Sequence, residues 1–154
     1  MLSTSVSPPL DKWRSLVQRS IQAWERISWD RPRADRLMKE ILQDCRSLDD
    51  FLIKGTNPMF WFFQRREAFL LQEKTTQWSQ DCLDDYVLLP ACPGFVTRSE
   101  CFFVSHFWRT REHPDPDSKY LCLYQEELQH QDWSYVWVDW SCMPQSPRSE
   151  LEQT

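Results

Sequence analysis

Apolar positions along the first third of the chain recur at helical spacing. Trp13, Val17, Ile21, Trp24 and Ile27 fall on one side of a 3.6-residue repeat, with charged residues between them. Pro8-Pro9 punctuates the start, and Asp30-Arg-Pro-Arg33 breaks the pattern. A second stripe, Leu37, Met38, Ile41, Leu42, Cys45 and Leu48, has Arg36, Lys39, Glu40 and Asp44 on its solvated side. These two stripes predict a pair of amphipathic helices folded as a hairpin. Asn57-Pro58 then has the form of an N-cap followed by proline at the first helical position, and predicts a third helix through Phe60, Trp61, Phe63, Phe69 and Leu70 toward Cys82. Its opening, Met59-Phe-Trp-Phe-Phe63, is apolar on more than one face and predicts deep burial, because large exposed apolar patches are uncommon.

The pattern changes after Asp84. Tyr86-Val-Leu-Leu89 is a short apolar run closed by Pro90 and Pro93-Gly94, which predicts an edge strand or an extended connection. Cys101-Phe-Phe-Val-Ser105 and Tyr135-Val-Trp-Val-Asp139 have the compact apolar form of buried strands. Between them, Ser118 to Gln131 predicts a helix carrying Leu121, Tyr124 and Leu128. Strand, helix, strand in this order implies a parallel pair with a right-handed crossover. The chain therefore reads as α/β: N-terminal helices over residues 1–84, then a small parallel βαβ unit over residues 85–154, together one compact body.

Composition narrows the function classes. With 154 residues and 41% apolar content the chain suits one domain. Nine Trp, nine Phe and four Tyr beside two Gly predict an aromatic core and exclude a glycine-rich phosphate loop. Residues 1–77 hold 13 basic and 10 acidic side chains (+3), whereas residues 78–154 hold 5 and 13 (−8), so the second half repels a phosphate backbone and nucleic acid is not an expected partner. There is no apolar run of membrane-spanning length and no secretory leader pattern, so the expected location is the cytoplasm, with no membrane partner. Six cysteines spread along the chain without a CxxC predict free thiols, a disulfide framework being the alternative.

Candidate chemistry gathers where the two predicted strands end, because parallel sheets bind ligands outside the carboxyl ends of their strands. The first strand ends in Ser105-His106-Phe107-Trp108, followed by a polar loop holding His113, Asp115 and Asp117. The second ends in Asp139-Trp140-Ser141-Cys142-Met143-Pro144-Gln145. His106 and Asp139 are the acid–base candidates. Ser105, Trp108, His113, Asp115, Asp117, Trp140, Cys142 and Gln145 are the ligand-binding candidates. Each has a plainer role: His106 as a core histidine, Asp115 and Asp117 as turn and cap residues before the helix. A Ser105/His106/Asp139 triad is disfavoured, since neighbouring strand residues point to opposite faces. No metal is expected, because the His, Cys and Asp spacing matches no compact ligand pattern.

Phe103-Val-Ser-His106-Phe-Trp108 together with Trp137-Val-Asp139-Trp-Ser-Cys142-Met-Pro-Gln145 resembles the fungal heterokaryon-incompatibility (HET) domain. That family shows a strand ending in Ser-His-x-Trp and, a helix later, a strand ending in Trp-x-Asp-x-x-Cys-x-x-Gln. The resemblance covers residues 101–150. HET domains are similar in turn to Toll/interleukin-1 receptor (TIR) domains, whose flavodoxin-like fold supports protein assembly and, in some members, cleavage of NAD. The resemblance implies an incompatibility or cell-death signalling module that works through a protein partner or self-association, with NAD as the one implied nucleotide. The chain departs from that pattern: it ends fifteen residues after Asp139, with only Glu150 and Glu152 placed to begin the helix that bears a TIR-type glutamate. The implied sheet is an incomplete flavodoxin/TIR-like one. Two alternatives stand beside this reading: a small accessory enzyme of fungal secondary metabolism, with a pocket of Trp108, Trp133, Trp137 and Trp140, and an inactive truncated remnant.

Overall fold

The computed structural model describes residues 9–27, 30–54, 59–92, 95, 100–104 and 109–143. Its elements are α1 (Pro9–Arg26), α2 (Pro32–Asp44), α3 (Leu48–Ile53), β1 (Phe60–Arg65), α4 (Arg66–Leu71), a kinked 3-10 segment (Gln80–Asp85), β2 (Tyr86–Pro90), β3 (Cys101–Val104), α5 (Lys119–Leu128), β4 (Tyr135–Val138) and the single turn α6 (Asp139–Cys142). The fold is α/β, with helices preceding a four-stranded mixed sheet of order β2-β1-β4-β3. No helix among the described residues is long and apolar enough to cross a membrane. Two compact units form, Met1–Trp61 with Gln80–Phe95 and Phe62–Ser79 with Val96–Thr154, so each takes two stretches of chain.

In the first unit α1 lays Trp13, Trp24 and Ile27 of the predicted stripe into the core together with Leu16 and Ala23, while Val17 and Ile21 stay half-buried. Its polar side chains serve the backbone of β2, an edge strand of the sheet. Ser20 Oγ accepts from the Leu88 amide at 2.8 Å and donates to the Leu16 carbonyl at 2.6 Å. Trp24 Nε1 donates to the Leu88 carbonyl at 2.6 Å. Arg19 adds donations to the carbonyls of Leu83 and Tyr86. The strand's open edge is thereby closed by a helix, which removes a template for unwanted strand pairing. On α2 the buried residues are Met38 and Leu42, while Leu37 is exposed; the predicted stripe outruns the helix, since Cys45 caps its end and Leu48 opens α3, both buried. At the start of α3 the Ser47 hydroxyl accepts from the Asp50 amide at 3.1 Å, a side-chain cap for an otherwise unsatisfied donor.

The third helix expected from Pro58 to Cys82 does not form. Residues 60–65 are strand β1 and only 66–71 are helical. Exposure alternates at the start of β1: Phe60 is 1% exposed, Trp61 40% and Phe62 1%, a period of two rather than 3.6. Crowded aromatic side chains favour a pleated, half-buried surface over a helix, and β1 finds an antiparallel partner in β4, with Gln64 opposite Val136. Asn57 and Pro58 lie outside the described residues. Met59 and Trp61 stay exposed while Phe60, Phe62 and Phe63 are buried, so the expected deep burial holds for three of these five residues.

The βαβ expectation holds. β3 and β4 pair in parallel with Phe102 opposite Val136 and Phe103 opposite Trp137. One face of the pair packs beneath α5, where Val136, Val138, Leu121, Leu128, Phe69 and Trp133 form the core with Phe102 and Tyr124 against it. The other face carries an aromatic row. Phe103 lies 5.4 Å from Phe63 and 5.9 Å from Trp137, ring centre to ring centre. Arg66, the first residue of α4, closes the far end of α5. Its guanidinium donates to the carbonyls of Gln129, Gln131 and Trp133 and lies over the Trp133 ring, so a cation meets the negative end of the helix.

Candidate functional site

Parallel pairing brings the carboxyl ends of β3 and β4 to one end of the second unit. The loop at 109–117 folds back on itself there. Arg109 N–H donates to the Pro114 carbonyl at 3.1 Å, and Thr110 and His113 exchange hydrogen bonds through Thr110 Oγ1 and both backbones. His113 Nδ1 accepts from the Asp115 amide at 2.9 Å, which places the proton of the neutral ring on Nε2. The imidazole then lies 5.4 Å from the indole of Trp140, which follows β4. Residues read separately from the two strand ends thus meet.

The carboxylates of this loop are occupied. Asp115 is 1% exposed, and its two oxygens accept from the amides of Tyr120 (3.2 Å) and Leu121 (2.9 Å) at the start of α5, with Arg109 Nη1 3.5 Å away. It is the helix cap. Ser118, which stands in the usual cap position, has a left-handed backbone (φ 60°) and makes no side-chain cap, so the first free amides of α5 turn to Asp115 instead. Asp117 pairs with Arg109 and accepts from the Lys119 amide at 3.3 Å. The Arg109 guanidinium beside it holds its carboxyl down at about 2. Arg109 completes the cluster by lying over the Tyr120 ring at 5.5 Å.

On the β4 side, Asp139 Oδ1 accepts from the Trp140 amide at 2.7 Å at the head of α6. The segment before the 3-10 turn braces this end: Trp78 N–H donates to the Trp140 carbonyl at 3.0 Å, and Ser141 Oγ donates to the Thr76 carbonyl at 2.6 Å. Cys142 faces inward. Its thiol is buried, approaches the Val136 carbonyl at 3.6 Å, and burial pushes its pKa up to about 12, which makes it a poor nucleophile.

Of the ten candidates, the structure brings together His113, Asp115, Asp117 and Trp140, and seats Asp139 next to Trp140. Cys142 is turned away from them into the core. Ser105, His106, Trp108 and Gln145 lie outside the described residues. Arg109 and Tyr120 belong to the cluster although the sequence pattern does not single them out; Arg109 and Arg111 both precede the two aspartates in the loop, and spacing alone does not choose between them. Three of the four tryptophans expected to wall one pocket are described, and they separate. Trp133 packs on the α5 face against Phe69 and Phe102, Trp137 on the opposite face against Phe103, and Trp140 against His113. Among the described residues no group of three or more His, Cys, Asp or Glu side chains converges as a metal site.

Comparisons with family models, with curated proteins and with solved structures find no match to this chain.

Proposed function

We propose that this protein is a HET/TIR-like signalling module that acts by self-association through the carboxyl ends of β3 and β4, inside a fungal cell in an incompatibility or cell-death response. What carries the reading is the parallel β3–α5–β4 unit, with the loop at 109–117 folded onto Trp140 where the signature-bearing strands end. The described part of that end offers aromatic and cationic groups, Trp140, His113 and Arg109, while its carboxylates are spent on holding the loop and α5. Such a surface suits recognition better than proton transfer, because Asp115 is buried and each of its oxygens already accepts from an amide of α5. The accessory-enzyme reading draws less support, since Trp133 and Trp137 stand on opposite faces of the sheet.

Sedimentation equilibrium tests the association directly, with Trp140→Ala as the comparison. The NAD-linked form of the proposal has its own test. Incubation of concentrated protein with NAD yields free nicotinamide if that form holds; no release leaves association as the whole of the activity.

A further inference from the structure

The first unit holds a groove that the association reading does not use. It has a volume of about 690 Å³ and lies between one side of α1 and the turn that links α2 to α3. This volume is in the range of sites for small organic ligands. Two parallel stripes of α1 line it, each with a spacing of four residues: Trp13, Val17 and Ile21 form an apolar floor, and Arg14, Gln18 and Gln22 form its wall. From Trp13 to Gln22 the helix rises about 13 Å.

The groove has two unlike ends. Trp13 Nε1 donates to the Cys45 carbonyl at 2.9 Å, which fixes Cys45 and its neighbour Arg46 at the Trp13 end. Arg14, next to Trp13 on α1, also lines the groove, so both cations of the lining come from residues adjoining the Trp13–Cys45 contact, and the apolar floor runs on toward Ile21. Neither guanidinium forms an ion pair among the described residues. Asp50, whose carboxylate feels the charge of Arg46, is held by Lys54 Nζ at 3.0 Å and by the Arg46 amide at 2.9 Å. Among the described residues no carboxylate lines the groove, in a chain of net charge −5. The remaining polar groups of the lining are glutamine amides, which accept or donate without charge.

We infer that this groove binds a free amphipathic monoanion, an aliphatic carboxylate whose head meets Arg14 and Arg46 and whose chain lies along Trp13, Val17 and Ile21. Guanidinium groups match a carboxylate head, and a floor of a little over two helical turns, about 12 Å, matches a medium-length chain.

The test uses dodecanoate below its micellar concentration, followed by calorimetry on the full chain. The expected result is saturable binding at one site, with dodecanol, which lacks the charge, binding about tenfold or more weakly, as loss of one charge-assisted contact implies. Arg14→Glu is exposed on α1 and keeps the fold; it weakens dodecanoate by a similar factor and leaves dodecanol unchanged. Val17→Trp fills the groove and weakens both. Absence of saturable binding, equal binding of dodecanol and dodecanoate, or indifference to Arg14→Glu overturns the proposal. Binding to phosphatidylserine vesicles without binding of monomeric dodecanoate also overturns it, since the surface would then serve a membrane. Self-association of the second unit is unaffected by Arg14→Glu, so the two proposals fail separately.

Discussion

The imidazole of His113 and the indole of Trp140 lie 5.4 Å apart at an angle of 58°, although 27 residues, one helix and one strand separate them in sequence. The contact is possible because β3 and β4 run parallel, so the loop that leaves one strand and the turn that leaves the other emerge at the same end. Aromatic pairs at this distance contribute about 0.5–1.5 kcal/mol beyond burial. The pair therefore does more than mark the site: it fastens the loop to β4.

Asp115 is the keystone of that loop. Asp115→Ala removes the acceptor for two amides of α5 and is expected to cost about 2 kcal/mol, in line with lost helix caps and unsatisfied buried donors. Urea denaturation checks the value. Asp115→Asn keeps the volume but places an amide donor toward at least one backbone N–H, so it recovers only part of the loss.

Ser20→Ala leaves the Leu88 amide without its acceptor at the closed edge of β2. A destabilisation of about 1–3 kcal/mol is expected, together with faster hydrogen exchange at the Leu88 amide. Unchanged exchange there would show that the strand edge is closed by something other than α1.

The carboxyl of Asp117 is held at about 2 by Arg109. A folded-state value below the unfolded one stabilises above the unfolded value of about 3.9 and ceases to do so as pH falls through the folded value. The melting-temperature difference between the wild type and Asp117→Asn is therefore expected to be constant above pH 5 and to vanish as pH approaches 2. The group is exposed, so the plateau is small and shrinks with added salt.

All six cysteines carry free thiols, in very different settings. Cys122 is exposed on α5, whereas burial pushes both Cys101 and Cys142 up to about 12. With a thiol reagent at neutral pH, Cys122 is expected to react in the native protein, and Cys101 and Cys142 only on unfolding. Mass spectrometry of the labelled peptides identifies the order. Native labelling of Cys142 at the rate of Cys122 would contradict the inward orientation.

Much of this architecture was legible in the sequence wherever the apolar pattern was periodic. In α1 the stripe buries Trp13, Trp24 and Ile27 and in β4 the run buries Tyr135, Val136 and Val138, whereas β3 buries Cys101 and leaves Phe103 half exposed, so its apolar run overstates its burial. Met59-Phe-Trp-Phe-Phe63 carries no period, because every residue in it is apolar, and its strand partner β4 lies some seventy residues further on. A proline after asparagine was then the strongest local signal, and it pointed to a helix. At the site, the capping role of Asp115 follows from an aspartate just ahead of a helix, but the left-handed Ser118 that hands the cap to it is a property of the closed loop. Arg109 was illegible for the same reason: its partners are brought to it by the loop's own hydrogen bonds.

Sedimentation equilibrium of the wild type beside Trp140→Ala tests the proposed function most directly. The account predicts that the wild type forms dimers or larger species at micromolar to sub-millimolar concentration, and that Trp140→Ala, folded by circular dichroism, sediments as a monomer over the same range. A wild type that remains monomeric throughout, or a Trp140→Ala variant that associates as strongly, would contradict it.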